Sequence, residues 1–298
     1  MKILFVGNMN DIHTPKWAEY FKERYEVKLF HAERFSLRNI IMLNKCIREF
    51  KPDILHAHYA GAWGLMGALM GFHPFVVTIH GSEVLLTKGL KKWLVQWVLK
   101  KADFITTDGW HIEDKIKKEW GIPHGKVRHV NFGVDVEKFI PRIGNLFRII
   151  YRSGPDKLYD LDTMTRAIKI VKKYHDPLFQ EIKGIDPSKI PYFLGGSTIY
   201  VSTALSDAGL SSTTAEAMAC GLPVVVTNVG DNQTWIDPSF TFEPGDYKHL
   251  ADLIMELLRD PELRASQCDM NRDIIVKSNN YAIEMAKMEQ IYKEVCNG

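Results

Sequence analysis

The densest run of chemistry-bearing residues lies between Asp207 and Cys220. It reads Asp-Ala-Gly-Leu-Ser-Ser-Thr-Thr-Ala-Glu-Ala-Met-Ala-Cys and continues Gly221-Leu222-Pro223. An acidic residue stands on a loop after an apolar run, and Gly209 lets the backbone turn tightly. Ser211 or Ser212 can cap a helix whose first turns are built of small residues. The free N–H groups and positive end of such a helix suit a diphosphate. Glu216, about a turn in, can accept hydrogen bonds from a ribose diol. The same run also suits a tightly packed helix with an ordinary first-turn Glu, so composition alone leaves both open.

A second set of residues is rich in histidine. His80 follows the apolar run Phe75–Ile79, at a strand end of the kind where open α/β sheets bind ligands. His56 and His58 are two apart, so on a strand their side chains share a face. With His80 they could ligate a metal and start a hydrolase site; alternatively one packs and the other faces a ligand. His13 and Lys16 lie in the turn after the first apolar run, Lys2–Val6, where an acceptor could bind. No Gly-x-Gly-x-x-Gly fingerprint is present. Cys46, Cys220, Cys268 and Cys296 are far apart, with no Cys-x-x-Cys pair.

The elements that must position these residues alternate. Strands are expected at Lys2–Val6, Glu26–Phe30, Asp53–His58, Phe75–Ile79, Phe104–Thr107 and Val127–Val130. Between them helices fall near Lys16–Arg24, Leu37–Phe50, Leu65–Met70, Leu90–Lys101 and Ile112–Trp120. Thr14-Pro15 offers the first helix an N-cap and an N1 proline. A second series follows Pro141. Its strands are Arg148–Arg152, Thr198–Ser202 and Pro223–Thr227. Its helices are Asp162–Tyr174, Thr213–Cys220, Tyr247–Leu258 and Tyr281–Val295. Such alternation predicts α/β architecture with parallel, doubly wound sheets.

Length and charge fit that picture. The 298 residues suggest two domains, with 46% hydrophobic and 25% charged residues. A net charge of +2 is too balanced for a dedicated nucleic-acid binder. Residues 1–141 hold 21 Lys and Arg against 15 Asp and Glu, whereas the remainder holds 17 against 21. Sparse cysteine suits a reducing compartment, so a cytoplasmic protein is expected. No Lys, Arg, Asp or Glu occurs between Asp53 and Glu83, yet His73-Pro74 breaks this stretch, which reads as buried helix and strand. Lys88–Lys101 flanks Trp93 and Trp97 with lysines. That helix either lies on an anionic membrane surface, making the protein peripheral at the inner face of the cell membrane, or packs on the core with solvated lysines.

Ser206-Asp207-Ala208-Gly209 followed by Ala215–Thr227 resembles the donor-site signature of the family 4 (group 1) glycosyltransferases, retaining enzymes of the GT-B fold. Asn131-Phe132-Gly133-Val134-Asp135 resembles the same family's Asn-Gly-Val-Asp segment with Phe132 inserted, and Thr78–Glu83 its His-Gly-Ser-Asp acceptor segment. The resemblance implies two Rossmann-like domains facing a cleft: an acceptor-side domain over residues 1–141, a donor domain over 142–280, and a terminal helix, 281–298, returning to the first. It implies transfer of a sugar from a UDP- or GDP-sugar to a glycan or lipid-linked hydroxyl, with no metal or other cofactor. Arg152 and Lys157 would hold the diphosphate, and His80 would contact the sugar or acceptor. Glu216 would hold the ribose, with Asp207, Ala208, Gly209, Leu210 and Ser211 beside the donor. Gly7 and Asn8 would approach the donor phosphates, and His13, Lys16 and His58 would lie on the acceptor side. The family separates its two acidic residues by seven others, whereas eight separate Asp207 from Glu216. Asp176-Pro177 leads almost directly to Phe179–Gly184 and Pro187–Leu194, so one strand–helix unit of the second domain is expected to be absent. That shortening keeps a non-catalytic binding protein or partner subunit in play, and an isomerase of nucleotide sugars on the same fold is a further reading.

Overall fold

A computed structural model describes residues 1–11, 13–142, 144, 147–153 and 158–297. The chain forms two units, one of residues 1–132 with 284–298, the other of residues 133–283.

The first unit runs β1 (Lys2–Gly7), α1 (His13–Lys22), β2 (Glu26–His31), α2 (Leu37–Phe50), β3 (Ile54–His58), α3 (Ala62–Leu69), β4 (Phe75–Ile79), α4 (Ser82–Leu85), α5 (Gly89–Lys101), β5 (Phe104–Thr107), α6 (Trp110–Lys118) and β6 (Val127–His129). The strands make one parallel sheet in the order β2-β1-β3-β4-β5-β6. Ile3 to Val6 are fully buried, as are the apolar residues of β3. Such unbroken apolar strands require helices on both faces. The strand order reverses between β1 and β3, so the loops after these strands diverge and leave a crevice at their carboxyl ends.

The second unit runs β7 (Arg148–Arg152), α7 (Leu161–Val171), β8 (Leu178–Ile182), α8 (Ile190–Gly195), β9 (Ile199–Ser202), α9 (Ser212–Ala219), β10 (Val224–Thr227), α10 (Asn232–Trp235), β11 (Thr241–Phe242), α11 (Tyr247–Arg259) and α12 (Pro261–Ser278). Its parallel sheet has five strands, ordered β11-β10-β9-β7-β8, and reverses between β7 and β9. β8 lies at the edge and its first residue, Leu178, is exposed. Ile149, Ile150, Tyr200, Val201 and Val224–Val226 form the centre of its core. A final helix, α13 (Tyr281–Asn297), belongs from Glu284 onward to the first unit.

The short elements α4, α10 and β11 are not announced by the sequence, and α1, α3 and α12 also differ from its reading. α1 begins at His13 rather than near Lys16, because the Asp11 carboxylate accepts from the His13 N–H (2.6 Å) and the Thr14 hydroxyl (3.1 Å). α3 begins at Ala62 rather than Leu65. α12 carries no apolar period in the sequence, since its inward face buries Gln267 and Asn271 beside Ile275. Asn271 donates to the Leu222 carbonyl (2.8 Å), which satisfies a polar group that a periodicity argument assigns to solvent. Asp260 caps this helix, accepting from the Leu263 N–H, with Pro261 at its first position.

Candidate active site

At the switch point of the first unit, Gly7 ends β1, His58 ends β3 and His80 follows β4. Space beside Gly7 is tight: a Cβ there would stand 3.2 Å from both Thr14 Oγ1 and Cγ2. Asn8 turns its amide oxygen to the Asn10 N–H (3.0 Å). His13 and the half-buried Lys16 occupy the first turn of α1. His58 Nδ1 and His80 Nε2 are 3.3 Å apart, so one donates to the other. The His13 ring stacks on Phe132 at 3.9 Å and meets the His80 ring edge-on at 5.7 Å. Trp17 closes the cluster, its ring edge-on to His58 at 5.1 Å and its indole N–H donating to the Phe132 carbonyl (3.3 Å). Tyr59 has a left-handed backbone (φ 74°), a strained geometry for a tyrosine. Its ring lies 6.1 Å from that of His80, over Gly61, where a Cβ would come within 2.5 Å of it.

Burial governs the electrostatics of this cluster. It pushes His13 and His80 down to about 4, and His56 down to about 3, with neighbouring imidazoles adding to it for His13 and His56. His58 falls well below the usual range for the same reasons. All four rings are therefore neutral at pH 7, offering one donor and one acceptor each. Glu83 is fully buried, and desolvation raises its carboxyl to about 7. Its Oε1 accepts from the backbone N–H of Ala60 (3.1 Å) and of His80 (3.0 Å), tying together the loops after β3 and β4.

The metal reading of the histidines is corrected by these contacts. His56 Nδ1 bonds the Tyr292 hydroxyl (2.5 Å) and its Nε2 the Thr78 hydroxyl (2.7 Å), so neither nitrogen is left for a metal. Among the described residues no group of three or more His, Cys, Asp or Glu could hold one.

In the second unit, Arg152 ends β7 at the reversal of strand order, paired in register with Ser202 at the end of β9. Its guanidinium lies 6.0 Å from the Tyr159 ring, and its buried Nε has no hydrogen-bond partner among the described residues. Lys157 lies outside the described residues. Beyond β9 the Asp207 carboxylate accepts from the Ala208 N–H (2.9 Å). Gly230 passes so close to the Asp207 carbonyl that a Cβ would stand 2.9 Å from it. Gly209 is buried, and the Leu210 side chain belongs to the core, so Leu210 can offer a ligand only its backbone. Ser211 caps α9, its hydroxyl accepting from the Thr214 N–H (3.3 Å). Thr214, Ala215, Ala217, Met218 and Ala219 are buried, so this helix is packed nearly all round, whereas Glu216 is only partly buried. Arg152, the Asp207 loop and the start of α9 thus all follow the carboxyl ends of β7 and β9, the edge at which open α/β sheets bind ligands.

Trp17 and Tyr59 carry no sequence signal of their own, and Glu83 stands in the sequence only as the last residue of the Thr78–Glu83 segment. Phe132 read as an insertion in a motif, yet it packs on both His13 and His80.

Two parallel-sheet Rossmann-like units define the GT-B fold. The model of Glycosyltransferase Family 4 matches residues 11–138, and that of Glycosyl transferases group 1 matches residues 178–272, together about three quarters of the chain. The chain belongs to this glycosyltransferase family. It is 24% identical to an uncharacterized glycosyltransferase of Methanocaldococcus jannaschii over 97% of this chain and 92% of that protein. It is also 24% identical to the UDP-Gal:alpha-D-GlcNAc-diphosphoundecaprenol alpha-1,3-galactosyltransferase of Escherichia coli, over 86% of this chain and 79% of that protein. Among solved structures, Anabaena HepE in complex with UDP and glucose superposes with a TM-score of 0.81 at 14% identity, over 99% of this chain and 100% of that chain. Among the described residues no helix is long and apolar enough to cross a membrane.

Proposed function

We propose that the protein moves a sugar from a nucleoside-diphosphate sugar to an acceptor hydroxyl, with retention of configuration and without a metal ion. The observation that carries this reading is Arg152 at the switch point of the second sheet, beside the Asp207 loop and the capped start of α9. As the bond from the anomeric carbon to the diphosphate breaks, negative charge grows on the leaving phosphate. A guanidinium and helix N–H groups at that end of the sheet stabilise that charge. Glu216 accepts from the ribose hydroxyls. The acceptor oxygen bonds to the anomeric carbon on the face the diphosphate leaves, and a phosphate oxygen takes its proton. His80, neutral at pH 7, orients a hydroxyl by hydrogen bonding. His13, His58 and Lys16 line the acceptor side, with Gly7 and Asn8 approaching the donor phosphates.

UDP is the first base to test, because the E. coli relative is named for UDP-Gal and HepE holds UDP. The E. coli relative's name also includes a lipid diphosphate acceptor, which favours a lipid-linked glycan here. The five-stranded second sheet favours one alternative, a protein that binds the nucleotide without turnover. Incubation with UDP-, GDP- and ADP-sugars and lipid-linked or free glycan acceptors, in the presence of a chelator, separates these readings. Transfer is expected to persist with the chelator, to keep the donor's anomeric configuration by NMR, and to fall about 10²–10³-fold in Arg152→Ala. Transfer abolished by the chelator or with inverted configuration contradicts the mechanism; nucleotide binding with no transfer from any donor favours the non-catalytic protein.

A further inference from the structure

The helices following β2, β3 and β4 lie on one side of the first sheet. Each belongs to a crossover running the same way along it, and parallel crossovers share one hand. α3 accordingly packs against both α2 and α5. This layer exposes more large apolar side chain than solvent contact favours. On α2, Leu37 is 76% exposed and Ile41, one turn on, 70%, with Phe35 and Met42 beside them. On α5, Leu90 is 72% exposed and Trp93 57%. Leu43 and Cys46 face inward on α2, and Val95, Val98 and Leu99 on α5, so the exposed residues form second apolar faces rather than misplaced core.

The charges around these faces have one dominant sign. From Arg34 to Lys101 the chain holds ten Lys and Arg against three Asp and Glu. All three acids are engaged: Glu83 is buried, Asp53 accepts from the Lys2 N–H, and Glu49 pairs with Lys45 (3.6 Å). Arg34, Arg38 and Arg48 alternate with the exposed apolar residues of α2, and Lys88, Lys91, Lys100 and Lys101 surround those of α5. Among the described residues none of these seven side chains has an ion-pair partner. A second copy of this face is a poor occupant, because it would set like charges against like.

We propose that α2 and α5 together form a docking surface for an anionic membrane, with Leu37, Ile41, Leu90 and Trp93 entering the interface and the Arg and Lys side chains meeting lipid phosphates. Apolar side chains at the acyl boundary ringed by basic ones are the pattern that holds a helix in the plane of a bilayer surface. The basic residues supply attraction that vanishes at high salt, and tryptophan favours the headgroup depth. The inference does not rest on the sugar-transfer reading, since vesicle binding is measured without donor or acceptor.

Sedimentation of the full chain with vesicles tests it. Binding is expected with mixed phosphatidylcholine–phosphatidylglycerol vesicles at low salt, and is expected to be lost with phosphatidylcholine alone and at high salt. The pairs Leu37→Glu with Ile41→Glu, and Leu90→Glu with Trp93→Glu, are each expected to weaken partitioning about tenfold or more. Thermal melts should stay near the wild-type value, because all four positions are exposed. No sedimentation with the anionic vesicles at low salt, equal binding to phosphatidylcholine alone, or an α2 pair that binds like wild type would each overturn the proposal.

Discussion

His13, His56, His58 and His80 cluster at the end of one sheet, and their shared burial keeps all four neutral near pH 7. Their folded-state values lie below the ordinary 6.5. The stability they contribute is therefore present above that pH and lost as pH falls toward about 4 and below. Glu83 has the opposite sign. Its carboxyl is raised from about 4.5 to about 7, so its contribution is full below pH 4.5 and is lost as pH rises through 7. Glu83→Gln keeps an acceptor for the Ala60 and His80 N–H groups but cannot ionise. Between about pH 4.5 and 7 the melting temperature of this variant should therefore fall less, or rise more, with pH than that of wild type; parallel pH profiles over that interval would contradict the assignment. His80, His13 and His58 were legible in the sequence because each follows an apolar run that had to be a strand. Phe132, Trp17 and Tyr59 were not, because their chemical types are ordinary core types. They become site residues only when chain segments more than a hundred residues apart meet, as Trp17 and Phe132 do.

At the scale of elements, α9 was legible because its small residues, its serine cap and its carboxylate form a local pattern. α12 was not, since its inward face is partly amide rather than aliphatic. α13 shows a different limit. Its spacing announces a helix, whereas its partner, the first unit, follows only from the family resemblance: Tyr292 bonds His56, Glu289 accepts from Tyr25 (2.6 Å), and buried Glu284 accepts from the Asn131 N–H (2.8 Å). Tyr292→Phe removes one hydroxyl and leaves the buried His56 Nδ1 without its partner. A loss of about 1–3 kcal/mol of unfolding free energy is expected from denaturant titration. A variant as stable as wild type would mean that this contact does not anchor the helix.

For the molecule as a whole, strand–helix alternation made the two-sheet α/β architecture readable, and the motif order made the family readable. The short second sheet was legible in how little chain separates Pro177 from Leu194, whereas its two-residue edge strand β11 was not. Charge is distributed in the same two-part way: the first 141 residues carry the basic excess and the remainder the acidic one. The basic excess fits a membrane-facing helical layer. The acidic remainder makes the local positive features, Arg152 and the start of α9, the more decisive for an anionic donor, because the unit's net charge does not attract one.

On the proposed reading the second unit holds a nucleoside diphosphate at the switch point of its sheet. Thermal melts of wild type and Glu216→Ala against UDP, GDP, ADP and their sugars test it most directly. A ligand at about a hundred times its dissociation constant adds roughly 2.7 kcal/mol to the folded state, which a melt resolves. A stabilising shift is expected with one nucleotide and with its sugar, and most of that shift is expected to be lost in Glu216→Ala. No shift with any nucleotide, or a shift of equal size in the variant, would contradict it.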